Sequence, residues 1–247
     1  MNRFFVEPDR IVNKIVEFPE DLTHQIMHVL RLTDGDRVEV FDNHGHVYLV
    51  TLKIELKRNQ VLGEIRQNLP MTSEPNVQIS LYFSMSTREK VEWILQKGTE
   101  VGVCTFSPFI SHRSLTRTPS ISENRRQRWE KIIQEAAEQS GRERLPKLNL
   151  PKEFDACLLE APQIHELNLI AWEGVTQQRE VLLEELANFK GQTIGLFTGP
   201  EGGFSAEEVQ LAKQAGLRVT SLGRRILRME TAAIVFPALV LFALQDF

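Results

Sequence analysis

Cysteine is scarce in this 247-residue chain: Cys104 and Cys157 are the only two. They lie far apart, each has apolar neighbours, and neither belongs to a C-x-x-C pair. A disulfide framework or a cysteine-based metal site needs more cysteines at closer spacing. We therefore expect two small core residues in a reducing compartment.

A basic excess is also missing. Lys and Arg number 29 against 33 Asp and Glu, which gives a formal net charge of -4. A nucleic-acid contact, if there is one, must therefore be local rather than spread over the surface. The hydrophobic fraction of 42% and the charged fraction of 25% are typical of a soluble globular chain. This length suffices for one large domain or two modest ones.

Long hydrophobic runs are absent as well. The best candidate, residues 232–244, is too short to span a bilayer comfortably and has Pro237 at its middle. A helix that is apolar on all sides is typical of a core or a subunit interface. The first ten residues are charged and contain no apolar segment of the kind found in signal peptides. We therefore expect a cytoplasmic protein.

Several catalytic motifs are missing too. The chain has no G-x-S-x-G elbow, no Ser-His-Asp order and no phosphate-binding loop ending in Lys-Ser/Thr. His24 and His28 have helical i,i+4 spacing, but no nearby acid or cysteine completes a convincing metal set. We therefore expect neither nucleophilic hydrolysis nor a bound metal.

Alternating apolar residues predict a small β-barrel at the N-terminus. The patterns indicate a short helix and three strands with a turn at 43–45. In chain order the predicted helix spans 21–30, and the strands span 37–41, 47–52 and 61–65. Residues 69–75 contain two prolines and are predicted to be a linker. The expected domains are therefore residues 1–71 and 72–247.

After the linker, strand and helix patterns alternate. This alternation predicts an α/β domain, a parallel sheet with helices on both faces. The predicted strands are 78–83, 105–110, 167–172, 193–198 and 218–222. The predicted helices are 88–101, 122–139, 178–189 and 205–215.

Two glycine-bearing turns follow the last two predicted strands. They are residues 197–204, FTGPEGGF, and 222–232, LGRRILRMETA. Ligands of open α/β sheets bind at the carboxyl ends of the strands, and glycine lets the backbone approach a ligand closely. The two turns predict a pocket built largely from main chain. A plain β–α connection is the alternative for the first turn alone.

Arginines cluster in and before these turns. Arg224, Arg225 and Arg228 suit an anionic partner such as RNA phosphate, and a solvated loop or salt bridges are the alternative. Between 113 and 144 there are eight basic and five acidic residues, an excess of three in an acidic chain. That excess favours a phosphate-contacting face, although a solvated helix with i,i+4 pairs has the same composition.

The chain resembles the SPOUT superfamily of S-adenosylmethionine-dependent RNA methyltransferases. More closely, it resembles the bacterial family that methylates N3 of a uridine in small-subunit ribosomal RNA. The matching segments are 97–103, 135–142, 199–205 and 222–232. The resemblance implies a PUA-like N-terminal barrel, a C-terminal trefoil knot and a homodimer that packs through the C-terminal helix. It also implies that the two turns bind S-adenosylmethionine.

The resemblance assigns roles to individual residues. The implied cofactor-binding residues are Leu196, Phe197, Thr198, Gly199, Pro200, Glu201, Gly202, Gly203, Ser221, Leu222, Gly223, Ile226, Leu227, Thr231 and Ala232. The expected catalytic residues are Arg228, Glu173 and Glu230. The expected RNA-binding residues are Arg3, Arg10, Arg31, Arg113, Arg142 and Arg225.

The identity of the proton acceptor is open at this point. Uracil N3–H is a weak acid, and Glu173, Glu201 and Glu230 are candidate bases. Glu201 and Glu230 have an alternative role in capping loops through backbone N–H groups. Two other functions also remain: a non-catalytic RNA-binding protein of ribosome assembly, and an enzyme that uses the same pocket for a nucleotide or another metabolite.

Overall fold

The computed structural model describes residues 1–174 and 179–247, and within that range it describes no side chains for 179–181. The chain forms two compact units. The first comprises Met1–Glu74 and Ala137–Leu145, and the second comprises Pro75–Ala136 and Pro146–Phe247. The expected domain limits stay a prediction, and the grouping of Ala137–Leu145 with the N-terminal unit has no counterpart in them.

The first unit is a curled half-barrel sheet with a short helix. Helix α1, Glu20–His24, continues into a wider π-helical turn, Gln25–Val29. The strands are β1 Arg3–Phe5, β2 Ile11–Val12, β3 Ile15–Glu17, β4 Arg37–Phe41, β5 Val47–Glu55 and β6 Gln60–Leu69. Their order is β1-β4-β5-β6-β3-β2, in which only the β1–β4 pair is parallel.

The predicted barrel strands are confirmed, and two of them are longer than expected. β5 and β6 continue past the alternating segments because they pair with each other from Val47↔Leu69 to Glu55↔Gln60. Strands β1 to β3 were not predicted, since two or three residues are too few to show a period. Phe4, Val16 and Val50 are buried in the core of this sheet.

The second unit is a parallel sheet covered by helices. Its strands are β7 Gln78–Ser84, β8 Thr105–Ile110, β9 Lys147–Leu148, β10 Lys152–Glu153, β11 Leu167–Ala171, β12 Thr193–Thr198 and β13 Arg218–Thr220. Its helices are α2 Arg88–Val101, α3 Glu123–Ser140, α4 Phe154–Ile164, α5 Arg179–Asn188, α6 Ala206–Gln214 and α7 Met229–Ala243. The strand order is β10-β8-β7-β12-β11-β13, with β9 beside β8, and every described pair is parallel.

Apolar side chains cover both faces of this sheet. Successive residues of a strand point to opposite faces, so Leu196 and Phe197 enter different cores. Leu196 packs in the cluster that includes Ile94 of α2 and Phe236 of α7, and Phe197 packs in the cluster that includes residues of α4 and α6. The predicted α/β architecture is confirmed, and the trefoil knot stays a prediction.

Helix α4 was not predicted, although its buried residues, Phe154, Cys157, Leu158 and Ala161, have helical spacing. Pro162 near its end obscured the pattern, because proline is unfavourable inside helices. The predicted start of α5 at Gln178 falls outside the described residues. Within the part of the chain that the structure describes, no helix has the length and apolar character needed to cross a membrane.

Candidate active site

A pocket of about 540 Å³ lies at the carboxyl ends of β11, β12 and β13. Small-molecule sites commonly measure about 300–1,000 Å³, and this edge of an open α/β sheet is where they occur. The residues that line it are Lys90, Ala171, Trp172, Glu173, Thr198, Gly199, Pro200, Glu201, Gly203, Phe204, Ser221, Leu222, Gly223, Arg224, Arg225, Ile226, Leu227, Arg228, Met229 and Ala232.

The first glycine turn connects β12 to α6. Gly203 has a φ of +66°, which is unfavourable for other residues, and a Cβ there would have to displace the carboxylate of Glu173. Ser205 then caps α6 reciprocally with Glu208, whose backbone N–H donates to Ser205 Oγ and whose carboxylate accepts from Ser205 N–H. The turn is therefore fixed where it enters α6, and Glu173, which follows the neighbouring strand β11, packs directly against it.

The second turn connects β13 to α7. Ser221 Oγ accepts from Gly223 N–H at 3.2 Å and donates to Gly223 carbonyl at 3.1 Å. Gly223 has a φ of +123°, and a Cβ built there would meet no atom within 4 Å. The main chain of this turn thus borders open space in the pocket wall, where a ligand can approach it closely.

The three candidate bases have different surroundings. Glu173 and Glu201 line the pocket, whereas Glu230 lies behind the wall in the first turn of α7. Glu201 accepts hydrogen bonds from Ser86 Oγ and from Lys90 Nζ, the latter at 2.9 Å. Partial burial acts to raise the pKa of Glu201, but these hydrogen bonds outweigh it and lower the pKa below its usual range. Glu201 is therefore held as a carboxylate.

Lys90 is a site residue that the sequence did not reveal. Its Nζ lies 2.9 Å from Glu201 Oε1 and 3.7 Å from Glu230 Oε2. Its hydrogen bond to Glu201 raises the pKa of Lys90, although burial acts in the opposite direction. A lysine in the first turn of a helix has no motif, so only the packing of α2 beside the turns could show it.

The arginines of the second turn are available to a ligand. Arg224, Arg225 and Arg228 are exposed, and all three line the pocket. None of them forms an ion pair with another described residue. The alternative that they are neutralised by Glu230 or Glu207 therefore finds no support in the described residues.

Four predicted cofactor residues do not line the pocket. Leu196 and Phe197 are fully buried, because their side chains fill the two cores on either face of β12. Gly202 faces Arg113, whose Nη1 donates to the Gly202 carbonyl at 2.9 Å. Thr231 is in α7 on a side away from the lining residues. Helix geometry explains this last case, since Arg228 and Ala232 lie four residues apart on one face.

Five of the six predicted RNA-binding arginines are at least partly exposed. Arg10, Arg31, Arg113 and Arg225 are exposed, and Arg3 is partly exposed and pairs with Glu39 at 2.8 Å.

Arg142 differs from the others and is not placed as expected. Its side chain is 4% exposed and donates to both carboxylate oxygens of Glu74, at 2.9 and 2.8 Å. The carboxylate of Glu74 also accepts from the backbone N–H groups of Glu143 and Arg144. Burial acts to raise the pKa of Glu74, but the bonds from Arg142 lower it. This pair is structural, because a guanidinium enclosed in this way cannot reach a phosphate.

Metal-binding side chains do not gather anywhere in the described ranges. The His24 and His28 rings lie 4.9 Å apart, but no group of three or more His, Cys, Asp or Glu residues there is suited to hold an ion.

Comparison with known families identifies both parts of the chain. The family model described as "RNA methyltransferase domain" matches residues 73–241, and the model described as "RNA methyltransferase PUA domain" matches residues 19–66. Ribosomal RNA small subunit methyltransferase E of Synechocystis is 32% identical over 94% of this chain and 75% of that protein. The Bacillus subtilis protein of the same name is 30% identical over 95% of this chain and 93% of its own length.

Solved structures agree with the sequence relatives. A ribosomal RNA small subunit methyltransferase E from Neisseria gonorrhoeae, bound to S-adenosyl methionine, has a TM-score of 0.84 at 28% identity and covers 98% of this chain and 97% of that one. A methyltransferase from Legionella pneumophila, in complex with the cofactor SAM, has a TM-score of 0.83 at 28% identity, with the same coverage of both chains. The similarity therefore extends over both units.

Proposed function

The chain belongs to the ribosomal RNA small subunit methyltransferase E family, and from this membership we propose that it transfers a methyl group from S-adenosylmethionine to N3 of a uridine in small-subunit ribosomal RNA. The observation that carries the proposal is the pocket between the two glycine turns. It combines exposed main chain, three carboxylates in or behind its wall and three exposed arginines at its rim. A purely non-catalytic RNA-binding protein would not need such a pocket.

The residues present fit the methyl donor. The pocket has the volume of a small-molecule site, and the open side of Gly223 lets adenine and ribose approach the main chain of the second turn closely. The predicted cofactor residues that line it are Thr198, Gly199, Pro200, Glu201, Gly203, Ser221, Leu222, Gly223, Ile226, Leu227 and Ala232. When bound, S-adenosylmethionine supplies an electrophilic methyl group on a sulfonium. The task of these residues is to orient that group and to exclude water.

We propose Glu173 as the group that accepts the N3 proton. Its carboxylate lines the pocket and packs against Gly203 of the first turn. Glu201 is less suited, because its hydrogen bonds from Ser86 and Lys90 stabilise the carboxylate and lower its pKa. Loss of the proton leaves negative charge on the uracil ring, and the guanidinium of Arg228 is in reach of the pocket to stabilise it.

RNA binding is assigned to exposed arginines in both units. Arg225 lines the pocket, and Arg113 lies beside the first turn, where both can bind phosphate. In the first unit we propose Arg3, Arg10 and Arg31 as further contacts.

We further propose a homodimer through α7. Leu239 and Phe242 of this helix are 40% and 73% exposed, which is unfavourable for apolar side chains unless a partner covers them. The proposed substrate is ribosomal RNA, and a cytoplasmic location follows from it.

The function is tested by mapping modified nucleosides. The purified protein is incubated with S-adenosylmethionine and unmodified small-subunit ribosomal RNA or subunits, and the RNA is analysed by mass spectrometry. We expect one new N3-methyluridine, which fails to form with the Gly199→Val variant because a Cβ at 199 already lies 3.0 Å from the Phe204 ring. Absence of both methylation and calorimetric heat with S-adenosylmethionine would instead indicate a non-catalytic RNA-binding protein.

A further inference from the structure

The indole of Trp172 lies in the wall of the pocket. Trp172 directly follows strand β11, its side chain is partly buried, and it lines the pocket together with Glu173. Its side chain packs against the core cluster that includes Phe197 and Phe204. An aromatic ring that is packed against the core and also borders a pocket presents a flat, apolar surface of fixed position.

Two contacts fix the orientation of this indole. Its Nε1–H donates to the carbonyl of Phe204, in the first glycine turn, at 3.2 Å. Gly174 lies against the ring, because a Cβ built there would meet the indole carbons Cη2, Cζ2 and Cε2 at 2.5 to 2.7 Å. The polar atom of the indole thus has a main-chain partner, and glycine at 174 leaves the ring the room that it occupies. The indole therefore needs no polar partner from a ligand.

A nucleobase is the kind of ligand that suits such a surface. Stacking on an aromatic ring is worth about 1–3 kcal/mol per base, which corresponds to roughly 5- to 150-fold in affinity, and every base has a π-face. N3 of uracil is on the edge that pairs in duplex RNA, so the target uracil has to be unpaired when it reacts. Enzymes that act on such bases hold them by stacking against aromatic or apolar side chains.

Stacking also meets the geometric demand of the reaction. Once its proton is lost, N3 carries a lone pair in the plane of the uracil ring, and this lone pair must point at the methyl group that it receives. A surface against the face of the ring fixes its plane and leaves its edge free. That edge then remains accessible to Glu173, which follows Trp172 in the chain and lines the same pocket.

We infer that Trp172 is a stacking platform for a nucleobase in the pocket. The inference rests on the proposed function and deepens it, because it adds a residue that recognises a flat ring. The reaction brings two bases to the pocket, the adenine of the methyl donor and the target uracil. The open main chain at Gly223 is assigned to adenine and ribose, so Trp172, beside the proposed proton acceptor, is assigned to the uracil.

Three variants separate stacking from the other contacts of the indole. Trp172→Leu keeps an apolar side chain but removes the flat ring, whereas Trp172→Phe keeps a flat ring but removes the N–H bond to Phe204. Gly174→Ala leaves Trp172 in the chain and displaces its ring, and it adds no backbone strain because Gly174 does not have a positive φ. Trp93→Phe is the matched control, since Trp93 is 58% exposed on α2 and does not line the pocket.

Thermal unfolding shows whether each variant is folded. Binding of S-adenosylhomocysteine, which contains the adenine, is measured by calorimetry, and methyl transfer is measured with unmodified small-subunit ribosomal RNA. We expect Trp172→Leu and Gly174→Ala to lower kcat/KM for the RNA by at least about fivefold and to leave the affinity for S-adenosylhomocysteine unchanged. Trp172→Phe and Trp93→Phe should retain most of the wild-type kcat/KM.

A loss of S-adenosylhomocysteine affinity in Trp172→Leu that Trp172→Phe restores would identify adenine as the stacked base and would still support the platform. Equal losses in Trp172→Leu and Trp172→Phe would overturn the inference, because the indole would then act only through its N–H bond to the turn. Wild-type kinetics and affinity in Trp172→Leu would overturn it as well. A wild-type protein that neither binds S-adenosylhomocysteine nor methylates RNA would instead remove the proposed function itself, so the two failures are distinguishable.

Discussion

Replacing Gly203 with alanine disturbs the first turn in two separable ways. Gly203 has a φ of +66°, a conformation that costs other residues about 1–2 kcal/mol. The new Cβ would also collide with the carboxylate of Glu173, but this is the end of an exposed, flexible side chain, so moving it adds little to the cost in stability. The turn relieves the collision when the proposed base moves. We therefore expect a loss of about 1–2 kcal/mol in the free energy of unfolding together with a large loss of activity.

Gly216 is the matched control for the backbone effect. It has a φ of +91° in the same unit, and a Cβ there would meet no atom within 4 Å. Gly216→Ala should thus lose only the backbone contribution of about 1–2 kcal/mol and should retain activity. Gly203→Ala should lose about as much stability as Gly216→Ala but should also lose activity, because only at Gly203 does the new Cβ displace the proposed base.

The measurements are urea denaturation and single-turnover methyl transfer. The reasoning fails if Gly203→Ala keeps the methyl-transfer rate of the wild type. A stability loss well beyond that of Gly216→Ala would show that the Glu173 carboxylate cannot move aside.

Three further predictions concern stability and substrate binding. Burial lowers the pKa of His165 to about 4, from about 6.5 in the unfolded state, so the unfolded state binds more protons between these pH values. The free energy of unfolding should therefore fall by up to about 3 kcal/mol as pH drops from 6.5 to 4. Urea denaturation of the His165→Gln variant should lack this dependence on pH. Arg142→Ala leaves the carboxylate of Glu74 without its buried partner and should cost about 3–5 kcal/mol in denaturation experiments, whereas Arg126→Ala, which removes a surface pair, should cost less than about 1 kcal/mol. Arg228→Ala should reduce methyl transfer far more than calorimetric cofactor affinity, and equal losses would argue against its assignment to the uracil and RNA.

Much of the fold follows from local patterns. Alternation predicted the central barrel strands, and the strand–helix order predicted the parallel sheet, because the periods of 2.0 and 3.6 residues are properties of neighbouring residues. β8 and β12 have the predicted bounds, Thr105–Ile110 and Thr193–Thr198. The strands of two or three residues and helix α4 were missed because short or proline-containing segments carry little periodic signal.

The position of the pocket also follows from local patterns along the chain. The two glycine turns follow strands β12 and β13, and the carboxyl ends of parallel strands meet at one edge of a sheet. The motifs 199–205 and 222–232 contain most of the residues that line it. Local order and glycine content are sufficient for this inference, because they fix which backbone segments reach the edge.

Which side chains act together in the pocket depends on how distant segments of the chain pack. Lys90 and Glu201 are 111 positions apart in the chain, and Arg142 and Glu74 are 68 apart. No local pattern distinguishes Arg142, which is enclosed by a carboxylate, from Arg225, which is exposed at the pocket. Burial and charge pairing depend on how distant segments pack, so the roles of individual ionisable groups emerge only when the chain has folded.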